Sequence, residues 1–421
     1  MTAPFRSRVV MLAMTVACWT VSAAVTAAPD DPRPAASLPS EILDDPLLTD
    51  VLSRARNLLR GGLNAGAGYD AVWIRDLNTF IDLSIEVGNA TAVREALLTL
   101  CKFQSAAGDI PDGFVRAGAR SEGGLERESP LVPGARAHKN TVETDQEASF
   151  VQAVRKYVSA TNDWTILGEQ IDGRTVLARM GGALEWVYAA RFDASRGLVW
   201  GATTVDWGDV QPESAWGVAF DASSHRAIDI YDNAMTAIAI QDYLRLLPSG
   251  VAEMTKWQQR LTDLRRNIRA HLWDSHRQKF VPHVYLDGSP FPDDFDEASI
   301  YVHGGTVVAI EAGLLSQSEV ARVLRDITSN VTRAGAHSVG LTVYPAYPAG
   351  FFKNPSMAPY SYQNGGDWCW FGGRLGDRPF DAVGENSGIG AAHGKANPAP
   401  GFLHRGLVDV KKGPRIAEVG G

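Results

Sequence analysis

The stretch YDNAMTAIAIQDYLRLL, residues 231–247, and the stretch VAEMTKWQQRLTDLRRNIRAHLWD, residues 251–274, are separated only by Pro248, Ser249 and Gly250. Both place apolar residues at helical spacing, but the first is apolar or small on almost every side, while the second is charged outside one stripe. A helix that is apolar all round is buried all round, and a helix with a single stripe covers it from the solvent side. The two stretches therefore predict an inner helix followed by an outer one, the unit of a two-layered helical body.

The same unit recurs on either side. WIRDLNTFIDLSIEVGN (73–89) with ATAVREALLTLCKFQ (90–104), TDQEASFVQAVRKYVSATND (144–163) with RTVLARMGGALEWVYAARFD (174–193), and DEASIYVHGGTVVAIEAGLL (296–315) with SQSEVARVLRDITSN (316–330) each follow one helical stretch with another, and in the last the more apolar one again comes first. SEILDDPLLTDVLSRARNLLRGGL (40–63) precedes them, with Ser40 and Glu41 as start signals and Gly61 and Gly62 as the stop. The period predicts about nine or ten helices, in an all-α fold of concentric layers. No fixed period or repeated motif supports a solenoid of stacked pairs.

Long loops rich in Gly, Pro and aromatic residues separate the pairs, at 106–140, 194–227, 276–297 and 336–365. Loops of this length usually build a site or a lid. Because they alternate with helix pairs, they are expected to converge at one end of the helical body.

The 421 residues are 45% hydrophobic and 21% charged, an ordinary globular composition. The chain begins with Arg6 and Arg8, an apolar run from Val9 to about Val25, and small residues around Ala23, Ala27 and Ala28 ahead of Pro29. That order predicts a signal peptide over residues 1–28, cleaved near Ala27 or Ala28, and a periplasmic or extracellular protein. A lipid anchor at Cys18 is the rival, but Thr15 stands where such sites want Leu. Residues 29–40 read as a Pro-rich leader, and no later run is long and apolar enough to span a bilayer.

Loss of the two arginines moves the net charge from -8 to about -10. A chain that acidic repels nucleic acid and anionic membranes, so a neutral partner is expected. Cys101 and Cys369 are left either to pair or to stay as buried thiols. Without HExxH or paired CxxC spacing, neither a metal nor a cofactor is expected.

Four segments carry candidate chemistry. In GYDAVWIRDLNTF (68–80), Trp73, Arg75 and Asp76 stand where an inner helix begins. A flat apolar ring beside fixed donors and acceptors suits a sugar, although an acid in a first helical turn also answers the helix dipole. NTVETDQEASF (140–150) sets Glu143, Asp145 and Glu147 before a helix; most such acids serve the dipole, and Asp145 is kept as a substrate contact.

VWGATTVDWGDVQPESAWG (199–217) flanks Trp207 and Gly208 with Asp206 and Asp209, followed by Glu213. A carboxyl among rings is desolvated and can hold a proton for a leaving group, unless the segment is simply an Asp-rich turn. YSYQNGGDWCWFGGR (360–374) offers Tyr362, Gln363 and Asn364, then Gly365 and Gly366 for positive φ or close approach, then Asp367, Trp368 and Trp370 at a helix start.

WIRD, DWGD and YQNGGDW, in this order and separated by helix pairs, resemble the motifs of the six-hairpin glycosidase superfamily. Glucoamylases carry W-x-R-D, neutral invertases D-W-G-D, and cellobiose-type phosphorylases Q-N-G-G. The resemblance covers roughly residues 45–375 and implies an (α/α)6 toroid that cleaves glycosidic bonds by general acid and base. It implies that Arg75 and Asp76 bind hydroxyls of the terminal sugar and that Trp73 walls the pocket. Asp209 matches the general acid, with Asp206 in reserve, and Trp207, Tyr362, Gln363, Asn364 and Trp368 would line the same mouth.

An inverting hydrolase needs a second carboxylate about 6.5–9.5 Å from the first. The chain after Leu375 is dense in Gly and Pro without an apolar period, so residues 376–421 read as an irregular tail. The toroid is expected to be incomplete at its C-terminus, with the reading frame disrupted near Leu375 to Arg378. Asp367 and Glu385 are the acids left to act as base. Other readings are a phosphorylase, an epimerase or lyase using His225, His283 or His303, and a sugar-binding protein that does not cleave. The sugar and the oligomeric state are not encoded in any motif.

Overall fold

The computed structural model describes residues 45–64, 69–116, 118–119, 125–215 and 218–377. The expected signal peptide with Cys18, the leader, Glu385 and the rest of the tail beyond Asp377 lie outside the described residues, as does the expectation of an incomplete toroid.

Among the described residues there are ten α-helices: α1 (Pro46–Leu59), α2 (Ile74–Ser84), α3 (Ala90–Phe103), α4 (Gln146–Thr161), α5 (Val176–Ala190), α6 (Ile230–Leu246), α7 (Ala252–His271), α8 (His303–Glu311), α9 (Gln317–Ala334) and α10 (Cys369–Asp377). The even-numbered helices pack each against the next to form an inner layer, and the odd-numbered ones lie outside them.

Burial separates the layers as the sequence predicts. Fourteen of the 17 residues of α6 are buried, whereas α7 buries only Trp257, Leu261, Leu264 and Ile268 out of 20. Those four form one stripe at spacings of three and four, and each contributes roughly 1.5–3 kcal/mol by leaving water. The polar residues inside α6 are paired: the Asn233 amide donates to the carbonyls of Val199 and Asp229, and its oxygen accepts from the Val199 N–H.

Local signals set the helix ends. Asp45 caps α1 with Pro46 in its first turn, five residues after the expected start at Ser40. Ser316 and Glu319 form a reciprocal capping box on α9, which stops at Gly335 with φ 64°. Helix α8 is shorter than predicted. Residues 296–302 form a 3-10 turn and the strand Tyr301–Val302, which pairs with Val343–Tyr344. The run Ile300, Tyr301, Val302 is β-branched and aromatic, so strand pairing wins there over helix.

The long loops carry strands of their own. Val72–Trp73, Gly113–Val115, Arg136–Lys139 and Leu125–Arg127 make a four-stranded sheet in that spatial order. Val284–Tyr285, Arg226–Ile228 and Gly201–Ala202 make a three-stranded one. These ribbons bind loops distant in sequence to one another at the N-terminal ends of the inner helices. Cys101 is a free thiol buried in the core, pushed up to about 12 by that burial.

Candidate active site

Each inner helix starts where a loop ends, so its first turn meets the loops. Arg75, in the first turn of α2, donates from Nε to Asp145 Oδ2 at 2.8 Å and from Nη2 to Asp145 Oδ1 at 3.2 Å, and also pairs with Glu143. Its guanidinium lies 5.4 Å from the centroid of the Trp207 ring. Trp207 in turn lies edge-on to Trp368 at 4.8 Å and to Tyr362 at 6.4 Å. Three motifs spread over nearly three hundred residues thus meet.

Asp209 is half-buried at this junction. Gln363 donates to its Oδ1 at 2.6 Å and the Tyr362 hydroxyl does so at 3.2 Å. Both bonds fall on one oxygen; among the described residues no protein group bonds Oδ2. The turn that presents these donors is backbone-strained. Tyr362 has φ 47° and Gly365 has φ 81°, both left-handed, and non-glycine residues held there concentrate at functional sites. Gly365 supplies the positive φ expected of the paired glycines.

Asp206, the reserve acid, has a different task. It is buried, and its two oxygens accept from the backbone N–H of Gly304 at 3.1 Å and Gly305 at 2.7 Å, at the start of α8. A Cβ at Gly305 would stand 2.9 Å from Asp206 Oδ1 and 2.6 Å from Ile230 Cγ2, so only glycine admits this cap. Burial pushes Asp206 up to about 7 against the pull of the two N–H groups.

Asn364 and Asp367, expected to face substrate, are supports instead. Asn364 is fully buried; its amide donates to the carbonyls of Tyr347 and Met357 and its oxygen accepts from the Tyr347 N–H. No donor remains for a sugar. Asp367 accepts from the N–H groups of His337 and Ser338 and from the Ser338 hydroxyl, which pins the 336–340 turn and occupies the carboxylate proposed as base.

Asp145 is likewise fully buried, held by Arg75 and by the Tyr231 hydroxyl at 2.7 Å, so it orients Arg75 rather than meeting a ligand. Trp73 is half-buried, stacked 5.5 Å from His138 and edge-on to Tyr69 at 6.5 Å. Asp76 is half-buried and raised above the ordinary carboxyl range by burial.

The proposed proton carriers are engaged. His283 bridges Glu297 (2.8 Å) and the Thr204 carbonyl (2.8 Å), and Glu297 raises its pKa against burial. His303 is buried against Asn330, and burial depresses it to about 3. His225 pairs with Glu213 at 2.6 Å.

One residue the motifs did not single out enters the site. Asp112 precedes the strand Gly113–Val115, and its carbonyl accepts from the Ile74 N–H at 2.7 Å, which places it beside the WIRD turn. Burial, and then the charges of Asp145 and Asp209, push Asp112 up to about 7 although Arg75 opposes them. Glu143 is pushed upward in the same way, by burial and then by Asp112, Asp145 and Asp209. Four carboxyls thus crowd one guanidinium, and such a cluster retains a proton near neutral pH. In the sequence Asp112 sits in PDGF, a plain turn signal, and only the pairing of distant strands reveals its burial.

No family model and no curated protein sequence matches the chain. Solved structures do resemble it. A GH63 mannosylglycerate hydrolase from Thermus thermophilus, in complex with Tris, superposes with TM-score 0.54 at 15% identity, over 79% of this chain and 87% of that one. An uncharacterized conserved protein from the same organism gives TM-score 0.53 at 16% identity, over 80% and 87%. A rhamnosidase from Klebsiella oxytoca with rhamnose bound is matched at TM-score 0.44 and 16% identity over 68% of this chain, which spans 48% of that protein's length. At these identities the likeness is one of architecture: the chain shares the all-α toroidal fold of these two Thermus thermophilus structures.

Proposed function

We propose that this protein is an exported glycoside hydrolase that acts on a neutral oligosaccharide or glycoside by general acid and base catalysis, with Asp209 as the acid. The observation that carries the reading is the geometry of Asp209. One carboxylate oxygen is fixed by Gln363 and Tyr362 and the other carries no protein bond among the described residues, beside a wall of Arg75, Trp207 and Trp368. A positioned carboxyl with one free oxygen can deliver a proton to a glycosidic oxygen, while indole rings stack on the CH faces of sugars. The Nη1 donors of Arg75 carry no protein hydrogen bond among the described residues and are free for a hydroxyl. Asp112, half-buried and pushed up to about 7 by burial beside Asp145 and Asp209, is a described carboxyl that could take a proton from water. The apolar run and small-residue exit at residues 9–28 support export.

A sugar-binding protein without turnover is the second reading, favoured by the engagement of Glu143, Asp145 and Asp367 in ion pairs and turns. A panel of neutral glycosides, with product anomers followed by NMR, tests both. Hydrolysis that disappears in Asp209→Asn supports the enzyme; hydrolysis that survives this change rejects Asp209 as the acid. Saturable sugar binding with no product from any glycoside establishes the binder.

A further inference from the structure

Outside the sugar-facing cluster, a cavity of about 440 Å³ opens between the hairpin after α7, the strand Tyr301–Val302 and helix α9. Its lining includes His276, Arg277, Lys279, Arg322 and Arg333 and, among the described residues, no Asp or Glu, in a chain whose net charge is -8. Two of these charges are partly answered nearby: Arg277 lies 3.3 Å from Asp274 and Arg322 lies 3.6 Å from Asp326. The other two cations are not. Arg333, in the last turn of α9, makes no ion pair among the described residues. Lys279 is 7% exposed, and among the described residues the one hydrogen bond of its side chain is from Nζ to the Ile300 carbonyl at 2.5 Å.

A buried ammonium without a carboxylate is costly. Here burial and the neighbouring Arg277 lower Lys279 to about 8, against the more distant Asp296 and Asp274. The Tyr301 hydroxyl, on a residue also 7% exposed, has no hydrogen-bond partner among the described residues. Arg322 and Arg333 stand about 16 Å apart along α9, at 1.5 Å per residue, so the positive wall runs the length of a small organic molecule. The volume exceeds what a bare inorganic ion fills and lies within the range of small-molecule sites.

We propose that this cavity binds a small organic anion the size of a monosaccharide, through a phosphate or carboxylate group that Lys279, Arg333 and the Tyr301 hydroxyl receive. An entering oxyanion gives Lys279 the counter-charge that the fold withholds, and Tyr301 an acceptor.

Calorimetric titration of the full chain with glucose 6-phosphate, glucuronate, inorganic phosphate and glucose tests this. Saturable one-to-one binding of a charged sugar, unchanged by excess glucose and weakened by NaCl, is the expected result, and the tighter of the two charged sugars tells phosphate from carboxylate. Arg333→Ala and Lys279→Met are each expected to weaken that binding about tenfold. Arg333 is exposed, so its variant should keep the wild-type melting temperature, and Arg322→Ala serves as a second folded control. Binding should persist in Asp209→Asn, which separates this cavity from the sugar cleft. Heat from inorganic phosphate alone, or binding unchanged in folded Arg333→Ala and Lys279→Met, or binding lost with Asp209, overturns the proposal.

Discussion

Asp206 and Asp209 stand three residues apart in one loop and differ in what holds them. Asp206 gives both oxygens to the backbone of α8, so its carboxylate is part of the scaffold. Asp209 is gripped on one oxygen by side chains, and its other oxygen carries no protein bond among the described residues. Two acids with the same local sequence context are divided into a backbone cap and a side-chain-held carboxylate by what lies across from them. A carboxylate saturated by main-chain donors has nothing left to exchange with a substrate.

The largest effect expected from this contrast is on turnover. Asp209→Asn should lower kcat about a hundred- to ten-thousandfold, the usual share of a general acid, while leaving the urea midpoint in place. A shifted midpoint would make Asp209 a second scaffold acid. Next comes Arg75→Leu, which strands the buried carboxylates of Asp145 and Glu143 and should cost about 3–5 kcal/mol in urea unfolding.

Asp206→Ala uncaps α8 and should cost about 1–2 kcal/mol without touching kcat in the folded fraction; an activity loss at full folding would put Asp206 in the chemistry. The same acid predicts a pH trend. The folded protein holds the Asp206 proton up to about 7 whereas the ordinary value is 3.8, so stability is greatest below pH 4 for this group and declines as pH rises toward 7. Asp112 and Asp229, raised to about 7 and about 6, act in the same sense. In thermal melts between pH 4 and 8, Asp206→Asn should flatten that decline. Smallest of all, Tyr362→Phe removes one long hydrogen bond to Asp209 and should lower kcat about two- to tenfold.

The layers were legible because burial is written into composition: Ala234, Ala237 and Ala239 in α6 leave no polar face, and the stripe of α7 has one. The convergence of Arg75, Asp209 and Trp368 was legible from the order of motifs between helix pairs. The division of labour among the acids was not. Whether Asp206, Asn364 or Asp367 meets backbone or solvent depends on which loops are stapled by short strands such as Val72–Trp73 with Gly113–Val115, and pairs of two or three residues leave no period to read. Asp112 was missed for the same reason.

Trp370, in the first turn of α10, donates from its indole to the Thr79 hydroxyl of α2 at 2.5 Å, so the first and last described inner helices touch. Those residues are 291 positions apart. Contacts of such separation are slow to form because the intervening chain must be organised first. At a synthesis rate of roughly 5–20 residues per second, Thr79 exists as part of a nascent polypeptide for about 15–60 s before Trp370 is made. During that interval the Trp207 indole lacks Tyr362, Trp368 and Trp370, and a chaperone that shields aromatic surface would find its client there.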